Sequence, residues 1–267
     1  MPPIRVVFSG ATGSVGRAVI PALLRHPDFA LVGAVGRRGA GEDIGVLLGL
    51  VPAGVRLTPD IHAALRGSGA QVLIDYSAPD VSPTFCRAAL EAGAAVVLAT
   101  TGLAPAVVEE LGRVAERQGL GLLRAPNLTL AGHLMFRCVE LVKRFMGDVE
   151  IVEGHPSTKQ DAPSGTALET AERINRVPGP DPTRDHTSLG LPEARGARVG
   201  EVRIHSLRLP GFVDHQEVIF AAPGQLLSIR LDVVSPEVFI QPTLKAARLV
   251  LGVRGLVHDL PGLFEPD

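Results

Sequence analysis

Apolar positions fall in short continuous runs along the first half of the chain and in alternation along much of the second. Residues 4–9 form an apolar run of the kind that suits a strand buried on both faces. Runs at 30–35, 72–77, 94–101 and 120–125 have the same character. Helix-period segments separate them: one ending near residue 26, then 80–92, then 105–118 with Pro105 at the first turn. Strand and helix in alternation predict a doubly wound parallel α/β sheet. Beyond it, 128–146 reads as a long helix, 149–153 as a strand and 165 to about 176 as a helix. The stretch 177–199, rich in Pro, Gly, Asp and Arg, reads as a long loop and a candidate lid. Three alternating runs follow, at 200–208, 215–220 and 226–234, with turns at Pro210-Gly211 and Pro223-Gly224. They predict an antiparallel sheet in a second, α+β region. A helix over 240–251 closes the pattern.

The first junction carries chemistry. Gly10-Ala11-Thr12-Gly13-Ser14-Val15-Gly16 lies between the first strand and the first helix. Glycines at this spacing permit a tight turn, close approach of backbone to a pyrophosphate, and packing of helix on strand, with the helix N-terminus facing the negative charge. Pro21 inside that helix predicts a kink. The second strand ends at Gly36-Arg37-Arg38. An acidic residue there would hold a ribose 2′-hydroxyl, whereas adjacent arginines suit a 2′-phosphate, so the reading leans to NADPH over NADH. Tyr76-Ser77-Ala78-Pro79, Ala99-Thr100-Thr101-Gly102 and Ala125-Pro126-Asn127-Leu128 lie at strand C-termini, where such sheets bind ligands. Thr100 and Thr101 are expected to satisfy their turn while lining the nicotinamide side.

A second concentration of chemistry lies at 153–167. His155 and Lys159 stand four residues apart where Gly154, Pro156 and Pro163 forbid regular helix. Ser164 is placed to cap the helix that follows, leaving its first N–H groups, at Gly165 and Thr166, free for an anion. A proton donor, a cation and a helix N-terminus together suit a small carboxylate-bearing molecule. Asp161 is expected to orient Lys159 or its loop. His205, Asp214 and His215 form a weaker metal candidate, because two histidines ten apart across a turn lack strong ligand logic; strand-surface positions are the plainer reading.

Composition narrows the partners. Of 267 residues, 46% are hydrophobic, enough for a sizeable core, and 26 basic against 28 acidic residues leave a net charge of -2. That balance argues against a nucleic-acid partner. No apolar run reaches the ~18 residues of a membrane helix, and the first residues lack a signal-peptide pattern, so a cytoplasmic protein is expected. The two cysteines, Cys86 and Cys138, have no metal-ligand spacing and read as small buried hydrophobes on helices.

Glu153-x-His155-x-x-x-Lys159-x-Asp161-Ala-Pro-Ser-Gly-Thr-Ala167 closely resembles the signature of the dihydrodipicolinate reductases, also called 4-hydroxy-tetrahydrodipicolinate reductases. Gly10-x-x-Gly13-x-x-Gly16, the segments at 99–102 and 125–127, and the stretch 203–217 resemble further family segments in the same order. The resemblance spans nearly the whole chain. It implies a discontinuous Rossmann domain, 1–127 with 240–267, and a mixed-sheet domain, 128–239, for substrate binding and oligomerisation. It also implies reduction of 4-hydroxy-tetrahydrodipicolinate to tetrahydrodipicolinate with NAD(P)H on the diaminopimelate route to lysine, usually as a homotetramer. By the same match His155 is the proton donor, Lys159 a second catalytic residue that contacts substrate, and Ser164, Gly165 and Thr166 lie at a substrate carboxylate. The signature has a second histidine where this chain has Pro156, which removes one side-chain substrate contact. Two other readings compete: another NAD(P)H-dependent reductase of small molecules on this scaffold, and a dinucleotide sensor without turnover.

Overall fold

The computed structural model describes residues 2–183, 189–258 and 263–264. By compactness the chain divides into two units, one of residues 1–128 with 236–267 and the other of 129–235.

The first unit is built on a seven-stranded sheet in which every neighbouring pair is parallel. In chain order its elements are β1 (Ile4–Ser9), α1 (Ser14–Arg25), β2 (Phe29–Val35), α2 (Ile44–Leu47), β3 (Leu57–Thr58), α3 (Ile61–Leu65), β4 (Val72–Asp75), α4 (Ser82–Glu91), β5 (Ala95–Leu98), α5 (Pro105–Arg117) and β6 (Gly121–Arg124). Spatially the strands run β3-β2-β1-β4-β5-β6, the doubly wound order, with a last strand added beside β6 from the chain's end. The order reverses between β1 and β4.

Each apolar run serves two cores because strand side chains alternate in direction. Val6, Phe8, Ile74, Val97 and Leu123 pack on one face with Val19, Ile20 and Leu23 of α1. Val7, Leu73, Val96, Leu98 and Leu122 pack on the other with Leu90 of α4 and Leu111 of α5. Pro21 lies inside α1 as expected. The parallel sheet predicted from sequence is present, with strands β4 to β6 shorter than the apolar runs because the loop residues at each C-terminus turn away. Cys86 is buried in the second core, but Cys138 is exposed, so the expectation of two buried cysteines fails for one of them.

The second unit contains α6 (Leu130–Lys143), β7 (Asp148–His155), α7 (Gly165–Arg176), β8 (Ala197–Val199), β9 (Val202–Arg208), β10 (Asp214–Ala222) and β11 (Gln225–Val233). The strands form one sheet in the order β11-β10-β7-β9-β8. α6 and α7 supply Met135, Phe136, Val139, Ala171 and Ile174 to a core with Ile151, Ile204, Val218 and Phe220. Pro223 and Gly224 join β10 to β11 as a hairpin, and Gly224 adopts φ 78°, which suits glycine after proline in a tight turn.

The sheet is mixed, as the resemblance implied, and only the reading of Pro210-Gly211 as a turn between paired antiparallel strands needs correction. β7 lies between β9 and β10, antiparallel to β10 and parallel to β9, so the sheet is mixed and Pro210-Gly211 is not a hairpin turn. The expected loop 177–199 also contains a 3-10 turn at Pro192–Arg195 and β8, which pairs antiparallel with β9. Residues 184–188 of the candidate lid lie outside the described residues.

The chain returns to the first unit through a 3-10 turn at Pro236–Phe239, α8 (Ile240–Leu249) and β12 (Gly255–Val257), which pairs parallel with β6. Tyr76 stacks on Phe8 and its hydroxyl meets Thr243 Oγ1 of α8 at 2.8 Å. Among the described residues, no helix is long and apolar enough to cross a membrane.

Candidate functional site

In the first unit the chain leaves β1 through Gly10, held at φ 78°. A Cβ there would stand 2.1 Å from the Tyr76 carbonyl oxygen, and one at Gly16 would stand 2.5 Å from that of Gly10. Both positions therefore require glycine for close backbone approach, one between β1 and β4 and one between loop and helix. Gly13 caps α1 in extended conformation with no side-chain cap, so the first N–H groups of the helix face outward unsatisfied by side chains. At the strand-order reversal lies a cavity of about 420 Å³ lined by Gly10, Thr12, Gly13, Arg37, Arg38, Tyr76 and Ser77 among others. Arg37 and Arg38 are exposed on its lining. A cradle that Cβ atoms would fill, beside a helix N-terminus, fits the pyrophosphate of a dinucleotide.

The other sequence candidates are not among the residues lining this cavity and are placed in different ways. Ala11 and Leu128 are buried in the core, so each offers only backbone. Ser14 is exposed and Val15 half-buried at the start of α1. Ala99, Thr100 and Thr101 follow β5, and Ala125, Pro126 and Asn127 follow β6, at strand C-termini as anticipated. Thr100 differs in detail: its hydroxyl donates to the Asp75 carboxylate at 2.7 Å and is turned into the protein. Asp75 was not anticipated. It is fully buried and also accepts from Ser9 Oγ and Ser82 Oγ, each at 2.5 Å, and from the Ser77 N–H at 3.3 Å. The signal was an aspartate ending an otherwise apolar strand.

In the second unit, strand alternation builds the site. Val149, Ile151, Glu153 and His155 share one face of β7, apolar in the core and polar at the C-terminal end. On β9, Arg208 is the register partner of His155 and shares a face with Ile204. On β10, Asp214 is one step beyond the His215–Gly154 pair and shares a face with Gln216 and Val218. Three strands thus bring Arg208, His155 and Asp214 into one row.

Arg208 clamps the fully buried Glu153 with Nη2 to Oε1 at 2.9 Å and Nη1 to Oε2 at 3.0 Å, and also donates to the Asp161 carbonyl at 2.6 Å. The Ser164 N–H donates to Glu153 Oε1 at 3.3 Å. His155 Nε2 lies 3.3 Å from Glu153 Oε2 and 3.6 Å from Asp214 Oδ1, yet makes no hydrogen bond in proper geometry although it is buried. Burial is the largest influence on the imidazole and holds it below its ordinary pKa; Asp214 opposes that and Lys159 adds to it.

Lys159 pairs with Asp161 at 2.8 Å. Burial pushes Asp161 upward, but the Lys159 hydrogen bond and charge outweigh it and leave the carboxyl below its usual range. Ser164 caps α7 as predicted, its Oγ accepting from the Ala167 N–H at 3.3 Å. Gly165 and Thr166 open the helix, both buried. His155, Lys159, Ser164, Gly165 and Thr166 are thus gathered by the end of β7, the turn after it and the start of α7. Pro156 begins that turn, its carbonyl accepting from the Lys159 N–H at 3.0 Å.

The three metal-candidate residues do not converge. His205 Nε2 meets Glu150 at 2.7 Å, His215 Nδ1 meets Asp232 at 2.7 Å, and Asp214 faces His155. His215 is moreover buried, not a surface strand residue.

Comparison with known proteins places the chain in a family. The family model described as dihydrodipicolinate reductase, N-terminus, matches residues 4–128, and that described as dihydrodipicolinate reductase, C-terminus, matches 131–264. The 4-hydroxy-tetrahydrodipicolinate reductase of Moorella thermoacetica is 41% identical over 266 residues, covering 98% of each chain. That of Symbiobacterium thermophilum is 40% identical over 265 residues, covering 97% of each. Among solved structures, the dipicolinate-bound dihydrodipicolinate reductase from Paenisporosarcina sp. TG-14 is 29% identical, with a TM-score of 0.71, covering 96% of this chain and 97% of that one. An amine dehydrogenase from Mycobacterium smegmatis, 17% identical with a TM-score of 0.65, shares the fold. The chain belongs to the dihydrodipicolinate reductase family.

Proposed function

We infer that this chain is an NAD(P)H-dependent 4-hydroxy-tetrahydrodipicolinate reductase that forms tetrahydrodipicolinate on the diaminopimelate route to lysine. One observation carries the reading at the level of the site. A buried imidazole with an unpartnered Nε2 ends β7, a few residues before the capped N-terminus of α7, inside the segment that matches the family's C-terminal model. An unpartnered buried nitrogen is costly unless a ligand uses it.

The roles follow from that arrangement. The glycine cradle and the α1 N-terminus, Gly10 to Gly16, would hold the pyrophosphate; Arg37 and Arg38 would meet a 2′-phosphate, favouring NADPH; 99–101 and 125–128 would line the nicotinamide side. When bound, the dinucleotide supplies a hydride. His155 donates the proton that the reduced ring needs, at an imidazole Nε2 kept out of water. The Lys159 ammonium, held by Asp161, pairs with a substrate carboxylate and stabilises charge that develops during reduction. Ser164, Gly165 and Thr166 present the α7 N-terminus to a carboxylate. Pro156 contributes shape and no donor. We place the enzyme in the cytoplasm as a homotetramer, on the strength of the family resemblance.

The test is NADPH or NADH oxidation with substrate made in situ from pyruvate and aspartate semialdehyde. Turnover is expected, and none with either cofactor would sink the assignment. His155→Ala should lower kcat on the order of 10²–10⁴-fold, as loss of general acid catalysis does; turnover near that of the unaltered enzyme would refute the donor role.

A further inference from the structure

The charges around His155 leave one proton to be placed. Glu153 of β7 is clamped by Arg208 of β9 at 2.9 and 3.0 Å, and Lys159 is paired with Asp161 at 2.8 Å in the segment between β7 and α7. These four charges cancel. His215, next along β10, points to the opposite face and is engaged by Asp232 at 2.7 Å. What remains is His155 and Asp214, Nε2 to Oδ1 at 3.6 Å, with side chains only 9% and 16% exposed. If His155 were neutral and Asp214 ionised, the cluster would hold one uncompensated negative charge away from water, which is costly. One proton on either member removes it. Glu153 Oε2 is nearer, at 3.3 Å, but both of its oxygens already accept from Arg208.

We propose that His155 and Asp214 share a single proton, and that Asp214 is the positioning residue that holds this proton at the imidazole to higher pH than His155 would keep it alone. The proposal rests on His155 as the proton donor. Burial lowers the imidazole and raises the Asp214 carboxyl, and each partner opposes the effect of burial on the other. Both influences favour one proton held between them. In turnover the Nε2–H bond breaks and a bond to hydrogen forms at the substrate atom that bears the electron pair left by hydride addition. The pair is then reprotonated from solvent.

The sign of the effect follows from charge. Asp214 stabilises the protonated imidazole, so removing its charge moves loss of the shared proton to lower pH. The kcat–pH profile of Asp214→Asn should therefore keep an acidic plateau while its alkaline limb moves down by about one pH unit or more. Above that limb kcat should fall about tenfold relative to the unaltered enzyme. Asp214→Glu should restore most of the shift. The histidine ring titration followed by NMR in apo Asp214→Asn gives a second readout that does not need turnover. It should show His155 deprotonating at lower pH than in the unaltered protein. An alkaline limb left in place, even with kcat uniformly reduced, overturns the proposal, and so does an unmoved His155 titration. If His155→Ala instead retains its turnover, the donor reading fails separately, whatever Asp214→Asn does.

Discussion

Each unit buries one carboxylate at the C-terminal end of a central strand, and the two are satisfied in different ways. Asp75, ending β4, takes hydrogen bonds from three hydroxyls and one backbone N–H. Glu153, near the end of β7, takes a guanidinium in bidentate fashion. Hydroxyls on short side chains fix the backbone that carries them. Ser9 and Thr100 by their hydroxyls and Ser77 by its backbone N–H meet Asp75 where β1, β5 and β4 pass into the crevice loops, so Asp75 ties those loops to one point. A guanidinium on a long side chain fixes charge rather than backbone. It silences Glu153 and leaves the neighbouring His155 and Asp214 free to exchange a proton. One arrangement suits a rigid cradle and the other an acid–base centre.

The largest effect should come from breaking the ionic arrangement on one side only. Arg208→Met leaves Glu153 fully buried without its cation, and such one-sided removals cost about 3–5 kcal/mol. Urea denaturation measures it, and the double variant with Glu153→Gln should recover a substantial part, since the orphaned charge is then gone. A loss for Arg208→Met below about 1 kcal/mol, the range of exposed pairs, would mean that Glu153 finds solvent or another donor.

Asp75→Asn probes the other arrangement and should cost less, about 1–3 kcal/mol, because it exchanges one acceptor oxygen for a donor facing hydroxyls that can rotate. Its consequence should extend beyond stability. With three crevice loops released from a common anchor, dinucleotide affinity, read by fluorescence titration, should weaken with the lost stability. Unchanged affinity in a destabilised variant would make Asp75 a packing element alone.

The same contrast explains what could be read from sequence. The parallel sheet was legible because each strand is an apolar run and each crossover a periodic helix. β3, α2, α3 and β12, at two to five residues each, are too short to show a period. The mixed sheet was less legible: Pro210-Gly211 has hairpin composition, but the insertion of β7 between β9 and β10 is a long-range pairing that no local pattern encodes. Cys138 was misplaced because a helix with apolar residues on several faces does not show which one is covered. In the site, the Ser164 cap was readable from local spacing, whereas His155 and Lys159 stood out as a pair whose roles rest on the family motif. Arg208 and Asp214 did not, because their approach to His155 depends on the register of three strands. Asp75 stood in plain view as the last residue of an apolar strand, but its partners are 66, 7 and 25 residues away.

The smallest effect lies where charge is not buried at all. Arg37 and Arg38 are exposed on the lining of the 420 Å³ cavity, so each interacts with an anion through solvent-screened charge and keeps its own hydration until a ligand arrives. Changing both to alanine should leave the fold's stability within about 0.5 kcal/mol, as surface substitutions do. If they meet a 2′-phosphate, NADPH loses its charge-assisted hydrogen bonds and NADH, which carries a hydroxyl there, loses little. At about 1.5 kcal/mol for a contact of this kind, the ratio of KM values for the two cofactors should move roughly tenfold toward NADH. Equal losses for both cofactors would show that the arginines steer the dinucleotide by net charge without reading its 2′ position. The glycine cradle would then be the sole source of cofactor recognition on this side of the crevice, and the enzyme would be indifferent to the phosphate.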